Sequence, residues 1–195
     1  MPDSSLRILI VDQNVTRAAI LEDGLRDAGH ADVVVVRDMQ NLLKRIVDAE
    51  PDVIFIDLEN PNRDVLEQMF QVSRVVQRPI AMFVDKSDTG MTEAAVLAGV
   101  SAYVVDGLKK ERIKSILELT ISRFKAFNQL REELDNARQQ LDERKLVDHA
   151  KGILMKQRSL SEDVAYALMR KTAMNESLKL SAVAQSIITA AKLFK

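Results

Sequence analysis

The chain has 195 residues, a formal net charge of −1, no cysteine and two histidines. This length allows one or two domains with buried cores. The absence of cysteine excludes disulfides and thiolate metal sites. With only two histidines, a multi-histidine metal site is not expected. No apolar run approaches the ~20 residues that cross a bilayer, and the N-terminus lacks the pattern of a signal peptide, so we expect a cytoplasmic protein.

Charge is distributed unevenly along the chain. Residues 144–195 hold 10 Lys/Arg and 4 Asp/Glu, whereas residues 1–143 hold 18 and 25. A basic C-terminal part behind an acidic front suits contact with a polyanion. A solvated helix surface explains the same composition, so charge alone leaves both interpretations open.

Five short apolar runs alternate with amphipathic helix patterns in residues 1–112. Each run is rich in β-branched residues and nearly continuous in apolarity, which is typical of strands buried on both faces of a parallel sheet. The alternation predicts a doubly wound α/β domain with a five-stranded parallel sheet. The predicted strands are Arg7–Val11, Val33–Val36, Val53–Ile56, Ile80–Val84 and Ala102–Val105.

A single long helix is predicted to follow, from Lys109 to Gln157, because neither proline nor glycine occurs between Gly107 and Gly152. Apolar residues recur in it at steps of three and four, which predicts a coiled coil over residues 113–143. We expect two copies of the chain to pair there. Folding of the helix back onto the first domain is the alternative. The repeating positions are Ile113, Leu117, Thr120, Phe124, Phe127, Leu130, Leu134, Ala137 and Leu141.

Residues 144–195 are predicted to form a small all-α domain of three helices. The end of the long helix supplies the first, Ser161 is a plausible N-cap of the second, and a third follows near the C-terminus. The apolar stripe of the second helix is predicted as Val164, Ala165, Leu168 and Thr172, with Tyr166 in the core. The stripe of the third is predicted as Val183, Ala184, Ile187, Ile188 and Ala191.

Aspartates follow two of the predicted strands. Asp12 comes directly after the first strand and Asp57 after the third. The carboxyl ends of parallel strands meet at the ligand-binding edge of such a sheet. These two carboxylates could share a divalent cation such as Mg²⁺, and one could accept a phosphoryl group. The alternative is that both merely cap loops, and we expect no cofactor to be required.

Residues 1–112 resemble the receiver domain of two-component response regulators. The resemblance is carried by Leu9–Asp12, Ile54–Asp57 and Ala98–Val105. It implies that Asp57 occupies the phosphoacceptor position and that Asp12 is one of a pair of acidic residues.

Three positions depart from the receiver pattern. The second acidic residue is replaced by Gln13, and the Ser or Thr that follows the fourth strand is replaced by Val84, or by Asp85 if the alignment shifts by one. The lysine that closes the fifth strand is replaced by Asp106, followed by Gly107 rather than proline. In the family that lysine pairs with the phosphoryl group. The resemblance therefore implies that the usual phosphorylation switch is dismantled.

These replacements also concentrate negative charge. Asp12, Asp57 and Asp106 are predicted to meet at one site without a matching cation. Such a cluster should bind a metal, attract Lys86 or Lys109, or raise the pKa of one carboxyl group. Control by a partner protein is therefore preferred over phosphorylation.

Basic residues form an outward stripe on the helix from Lys145 to Arg158. Gly152 lies within that stripe, although a glycine inside a helix costs roughly 1 kcal/mol relative to alanine. A bare backbone beside lysines could admit a phosphate or a base of RNA, whereas easier helix packing is the alternative. The candidate residues for contact with nucleic acid are Lys145, His149, Lys151, Gly152, Met155, Lys156, Arg158, Arg170 and Lys171.

Residues 144–193 are similar to the ANTAR domain, an RNA-binding module of bacterial antitermination regulators. The matching segments are Ala150–Met155, Ala165–Leu168, Ala173–Met174, Val183–Ala184 and Ile187–Ile188, together with Glu162.

The segment Val105–Leu108 further resembles the NasT-like regulators of nitrate assimilation. That resemblance implies a non-enzymatic regulator, held inactive by a nitrate/nitrite-sensing partner. Once freed, it binds paired hairpins in leader mRNA and prevents terminator formation. Three alternatives stay open: a response regulator controlled by phosphorylation, a DNA-binding regulator, and an adaptor that binds only proteins.

Overall fold

The computed structural model describes residues 6–58, 63–106 and 108–193. Within these ranges five parallel strands form one sheet in the order β2-β1-β3-β4-β5. This confirms the doubly wound α/β prediction. Strand β3 runs two residues further than predicted and includes Asp57. The strands are β1 Ile8–Val11, β2 Val33–Val36, β3 Val53–Leu58, β4 Ile80–Val84 and β5 Ala102–Val105.

Helices cover both faces of the sheet because the strands are apolar on both faces. One buried layer joins β1, β3 and β4 to the second, third and fourth helices, and the other joins the sheet to the first helix and to the beginning of the long helix. The helices of this part are α1 Val15–Asp27, α2 Leu42–Ala49, α3 Arg63–Val76 and α4 Thr89–Leu97.

The long helix is present as α5, Ile113–Arg158, and it follows a 3-10 turn at Lys110–Arg112. Its first turns differ from the prediction, since Ile113, Leu117 and Thr120 are buried in the core of the sheet domain. Three of the nine predicted coiled-coil positions therefore stabilise the first domain. The chain divides into two compact units, Met1–Asn128 and Gln129–Lys195, so the division lies inside α5.

The second unit contains the end of α5 with α6, Glu162–Asn175, and α7, Leu180–Leu193. Ser161 caps α6 as predicted, because its side chain accepts a hydrogen bond from the Val164 N–H. The α7 stripe is largely confirmed. The core of this unit contains Ala150, Leu154, Ala165, Met169, Ala173, Val183, Ala184 and Ile188.

The predicted stripe of α6 is confirmed at Ala165 and wrong at its large apolar positions. Val164 and Leu168 are exposed, and Tyr166 is exposed instead of buried. The α6 residues in the core are Ala165, Met169 and Ala173, which follow a step of four. The prediction relied on large apolar residues, whereas two of the three core positions of α6 are alanines, which give little hydrophobic signal.

None of the helices in the described ranges is both long and apolar enough to cross a membrane.

Candidate functional site

Acidic side chains gather at the carboxyl edge of the sheet. Asp12 directly follows β1, Asp57 lies next to the end of β3, and Asp85 directly follows β4. Asp12 and Asp57 are both buried. Because β1, β3 and β4 are neighbours in the sheet, the topology brings the three residues to one edge.

Hydrogen bonds from side chain to backbone shape the turn between β1 and α1. An Asp12 Oδ1 accepts a hydrogen bond from the Asn14 N–H at 2.7 Å. Asn14 in turn caps α1, since its Oδ1 accepts from the N–H groups of Thr16 at 2.9 Å and Arg17 at 3.3 Å. These bonds satisfy backbone donors that a helix N-terminus leaves open. They also fix Arg17 in the first turn of α1, beside the acidic edge.

Arg17 pairs with Asp57 at two points. Its Nε and Nη2 donate to the two carboxylate oxygens, each at 2.8 Å, and the Asp57 side chain has no exposed surface. A third hydrogen bond runs from Nη1 to Asp85 at 2.9 Å. The hydrogen bond to Asp57 is the main reason why the pKa of Arg17 rises above its ordinary value. The guanidinium group is therefore a permanent cation at this site.

Arg17 was not among the residues predicted for this site. Lys86, Lys109, a metal or a raised carboxyl pKa were expected to balance the acids, but neither lysine forms an ion pair with any described residue. A usable signal was present, because a buried carboxylate requires a cation and Arg17 lies only five residues beyond Asp12.

The predicted pocket residues Gln13 and Asp106 are both exposed. Asp106 follows β5 with a left-handed backbone (φ 46°), and its N–H donates to the Val84 carbonyl at 3.0 Å. Asp106 is thus held by backbone geometry, while Asp57 is held by Arg17. The second acidic partner of Arg17 is Asp85 and not Asp106.

The receiver domains that residues 1–112 resemble typically hold Mg²⁺ at such an acidic edge. Here both oxygens of Asp57 face a guanidinium group, and Gln13 replaces the second acidic residue. No group of three or more metal-ligating side chains was found within the described ranges. The residues present therefore do not fit a resident divalent cation.

The basic stripe is largely accessible. Lys145, His149, Met155, Lys156 and Arg158 are exposed on α5. Arg170 and Lys171 are exposed on α6. In this unit α6 and α7 pack together over a shared core with the end of α5, so the two basic groups belong to one small domain.

Lys151 differs from the other candidates because its ammonium group is engaged. It lies 2.8 Å from Asp148 on α5 and 2.7 Å from Glu162 at the start of α6, and only 16% of its side chain is exposed. These hydrogen bonds raise the pKa of Lys151, that to Asp148 contributing most. Lys151 thus joins two helices of the domain.

Gly152 faces open space in this chain. A Cβ built on Gly152 would meet no atom within 4 Å outside its own helical neighbourhood. Packing within the chain therefore does not explain the glycine. The alternative that Gly152 makes room for a neighbouring helix of the same chain is therefore not supported.

Two family models match the chain. The response regulator receiver domain matches residues 8–118, and the ANTAR domain matches residues 135–188. Together they include the acidic edge and the basic stripe described above.

One curated relative matches nearly the whole of this chain, whereas another matches over only part of its own length. The transcriptional regulatory protein PdtaR of Mycobacterium tuberculosis is 26% identical over 182 residues, which cover 93% of this chain and 89% of that protein. A protein-glutamate methylesterase/protein-glutamine glutaminase of Sulfurimonas denitrificans is 27% identical over 135 residues, but these cover only 38% of that protein.

Solved structures resemble the first unit in fold. A pilus assembly-related protein of Burkholderia pseudomallei has 17% identity and a TM-score of 0.55, covering 63% of this chain and 94% of that one. A CheY-like receiver domain protein of Methanospirillum hungatei has 18% identity and a TM-score of 0.52, covering 62% and 98%.

Proposed function

Because this chain belongs to the response regulator family through its receiver domain and also carries an ANTAR domain, we propose that it is a transcription antitermination regulator. It binds hairpin loops in leader mRNA, prevents terminator formation and catalyses no reaction. The observation that carries the proposal is the pairing of both domains in one chain, matched over nearly its whole length by a transcriptional regulatory protein.

The RNA surface in this proposal is the basic stripe of α5 extended by α6. Lys156, Arg158, Arg170 and Lys171 are exposed and make no ion pair with described residues, so their charges are available to phosphates. Lys145 and His149 flank them on α5. Gly152 and Met155 supply a close approach to the backbone and an apolar contact. Lys151 orders the surface through its two ion pairs.

A homodimer through α5 fits an RNA with paired hairpins. Phe127, Leu130, Leu134 and Leu141 follow the coiled-coil spacing and are each more than half exposed in the single chain. A second copy would bury this seam and hold two ANTAR domains together. Linking two weak sites raises avidity by about 10²–10⁴.

Control is assigned to a nitrate/nitrite-sensing partner protein in the cytoplasm rather than to phosphorylation. Two observations argue against phosphorylation as the switch: Asp106 stands where the family has a lysine, and Arg17 occupies both oxygens of Asp57. The Asp57→Asn variant is expected to leave antitermination largely unchanged per folded molecule. Loss of antitermination in a folded Asp57→Asn protein would instead favour the phosphorylation-controlled alternative.

Binding to nucleic acid tests the proposal directly. The full chain is titrated into a pool of RNAs with two hairpins and randomised loops, and into duplex DNA of equal length, at the same salt concentration. Binding of RNA subsets with common loop sequences is expected. Equal binding of duplex DNA would indicate a DNA-binding regulator, and binding of neither would indicate a protein adaptor.

Variants then locate the surface. With a selected RNA, Arg170→Ala and Lys171→Ala should weaken binding and each reduce the salt-dependence slope by about one. Lys192→Ala is the matched control, because Lys192 is exposed on α7 of the same domain but lies outside the proposed surface. Equal losses in all three variants would indicate only a non-specific charge effect.

A further inference from the structure

We propose that Arg17 permanently takes the place of the divalent cation at the receiver's acidic edge, so that this protein binds no Mg²⁺ there. The inference deepens the control part of the proposed function and is independent of RNA binding. It follows from how the guanidinium group is held, what it covers and why it lies there.

Arg17 already occupies both carboxylate oxygens of Asp57. Arg17 donates to both oxygens of Asp57 at 2.8 Å, and the Asp57 side chain is fully buried beneath it. A planar guanidinium matches a carboxylate at two points, which makes this the strongest common form of charge-assisted pairing. A metal ion on either oxygen would be forced against a positive charge only a few ångströms away.

Carboxylates at the ends of two different strands hold Arg17 in place. Its third hydrogen bond goes to Asp85 at the end of β4, while Asp57 belongs to β3. Only 20% of the Arg17 side chain is exposed. Moving it aside would break three charge-assisted hydrogen bonds at once, so a dissolved cation competes with a tethered and oriented one.

The position of Arg17 on α1 leads to the same conclusion. Arg17 lies in the first turn, where the helix dipole disfavours a cation. The helix dipole therefore does not explain a cation at this position. The cap by Asn14 fixes the turn, and the carboxylates of Asp57 and Asp85 supply the compensating charge. Together they assign Arg17 to the pocket rather than to the surface.

Cation binding by the full chain without RNA tests this. Mn²⁺ serves as the probe, its bound fraction is measured by electron paramagnetic resonance, and competition with Mg²⁺ is measured by calorimetry. The wild type is expected to show no saturable binding at millimolar concentrations. Arg17→Ala should free both Asp57 oxygens from the guanidinium group, so that saturable Mn²⁺ binding appears at least roughly tenfold tighter than the detection limit set by the wild type.

Three further variants make the result specific. Arg26→Ala removes a cation from the same helix, where Arg26 pairs with Glu22 at the surface, and should gain no binding. Arg17→Ala/Asp57→Asn should lose the gained site. Arg17→Gln keeps polar donors without the charge, so it replaces Arg17→Ala if thermal unfolding shows that the alanine variant does not fold.

Two outcomes would overturn the proposal. One is saturable Mn²⁺ binding by the wild type that Mg²⁺ displaces at millimolar concentration. The other is folded Arg17→Ala and Arg17→Gln proteins that bind no more Mn²⁺ than the wild type. Neither outcome affects RNA binding, which is measured separately, so failure here is distinguishable from failure of the proposed function.

Discussion

Gly24 of α1 lies directly against Ile113, the first residue of α5. A Cβ built on Gly24 would be 2.7 Å from the Ile113 Cγ1 and 2.9 Å from its Cβ. Lys110 strengthens the same junction by pairing with Asp27 at 3.0 Å. The beginning of the long helix is therefore seated on α1 by a contact that only glycine permits.

Gly24→Ala should destabilise the receiver domain by about 1–3 kcal/mol. The added methyl group overpacks the junction, and this cost exceeds the gain in helix propensity of up to about 1 kcal/mol. Hydrogen exchange of the α1 amides measures the local free energy of opening. Unchanged or slower exchange in α1 would show that Ile113 can move away without cost.

Gly152→Ala is expected to have the opposite effect on stability. Space around Gly152 is open, so alanine should fit and stabilise the end of α5 by about 0.5–1 kcal/mol. Slower hydrogen exchange of residues near Gly152 would report this gain. If RNA approaches the bare backbone, affinity for a selected hairpin RNA should fall at the same time. Higher stability with unchanged affinity would remove Gly152 from the RNA surface.

The sheet could be predicted from the sequence because its signal is local. Each strand is a continuous apolar run, and Ile80–Val84 and Ala102–Val105 begin and end where predicted. The length of α5 was similarly accessible, since nothing interrupts it. In contrast, α6 buries Ala165, Met169 and Ala173, and the two alanines give little hydrophobic signal.

The acidic site could be predicted only in part. Asp12 and Asp57 were located by their positions at strand ends, whereas Arg17 was missed because its partners lie 40 and 68 residues away in the chain. The engagement of Lys151 by Glu162 was missed for the same reason, since helix periodicity describes one helix and not its neighbour. The sequence shows charges, while pairing across elements depends on the tertiary fold.

The two carboxylates on Arg17 should differ in their effect on stability. Asp57→Asn should cost about 3 kcal/mol or more, because it leaves the Arg17 cation facing a buried neutral group. Asp85→Asn should cost about 1 kcal/mol or less, since 36% of the Asp85 side chain is exposed and screened by water. The free energy of unfolding of the two variants is compared by urea denaturation, with hydrogen exchange of the β1 and β3 amides as the probe. Equal costs would contradict the division of roles between the two acids.

The pair of Asp148 and Lys151 predicts a pH dependence in the ANTAR domain. The hydrogen bond that Asp148 accepts from Lys151 lowers the pKa of Asp148 below its ordinary value. A group whose pKa is lower in the folded state contributes stability above its unfolded pKa and loses that contribution as pH falls through the folded value. The stability difference between wild type and Asp148→Asn should thus be constant near neutral pH and shrink below about pH 4.

Hydrogen exchange in α6 at a series of pH values, corrected for the intrinsic rate, measures that difference. Glu143→Gln is a suitable control, because Glu143 lies one turn earlier on α5 and does not pair with Lys151. A difference for Asp148→Asn that persists unchanged into the acid range would show that its pKa is not lowered by Lys151.

Oligomeric state depends on the exposed seam of α5. Leu134→Glu places a charge in the middle of the seam and should convert a dimer to a monomer, because a buried carboxylate without a partner is costly. Leu119→Glu is the matched control, since Leu119 is also half exposed on α5 but lies outside the seam spacing. Light scattering after size-exclusion chromatography gives the mass of each. If both variants keep the wild-type mass, the seam does not join two copies, and if the two lose mass equally, the interface lies elsewhere on α5.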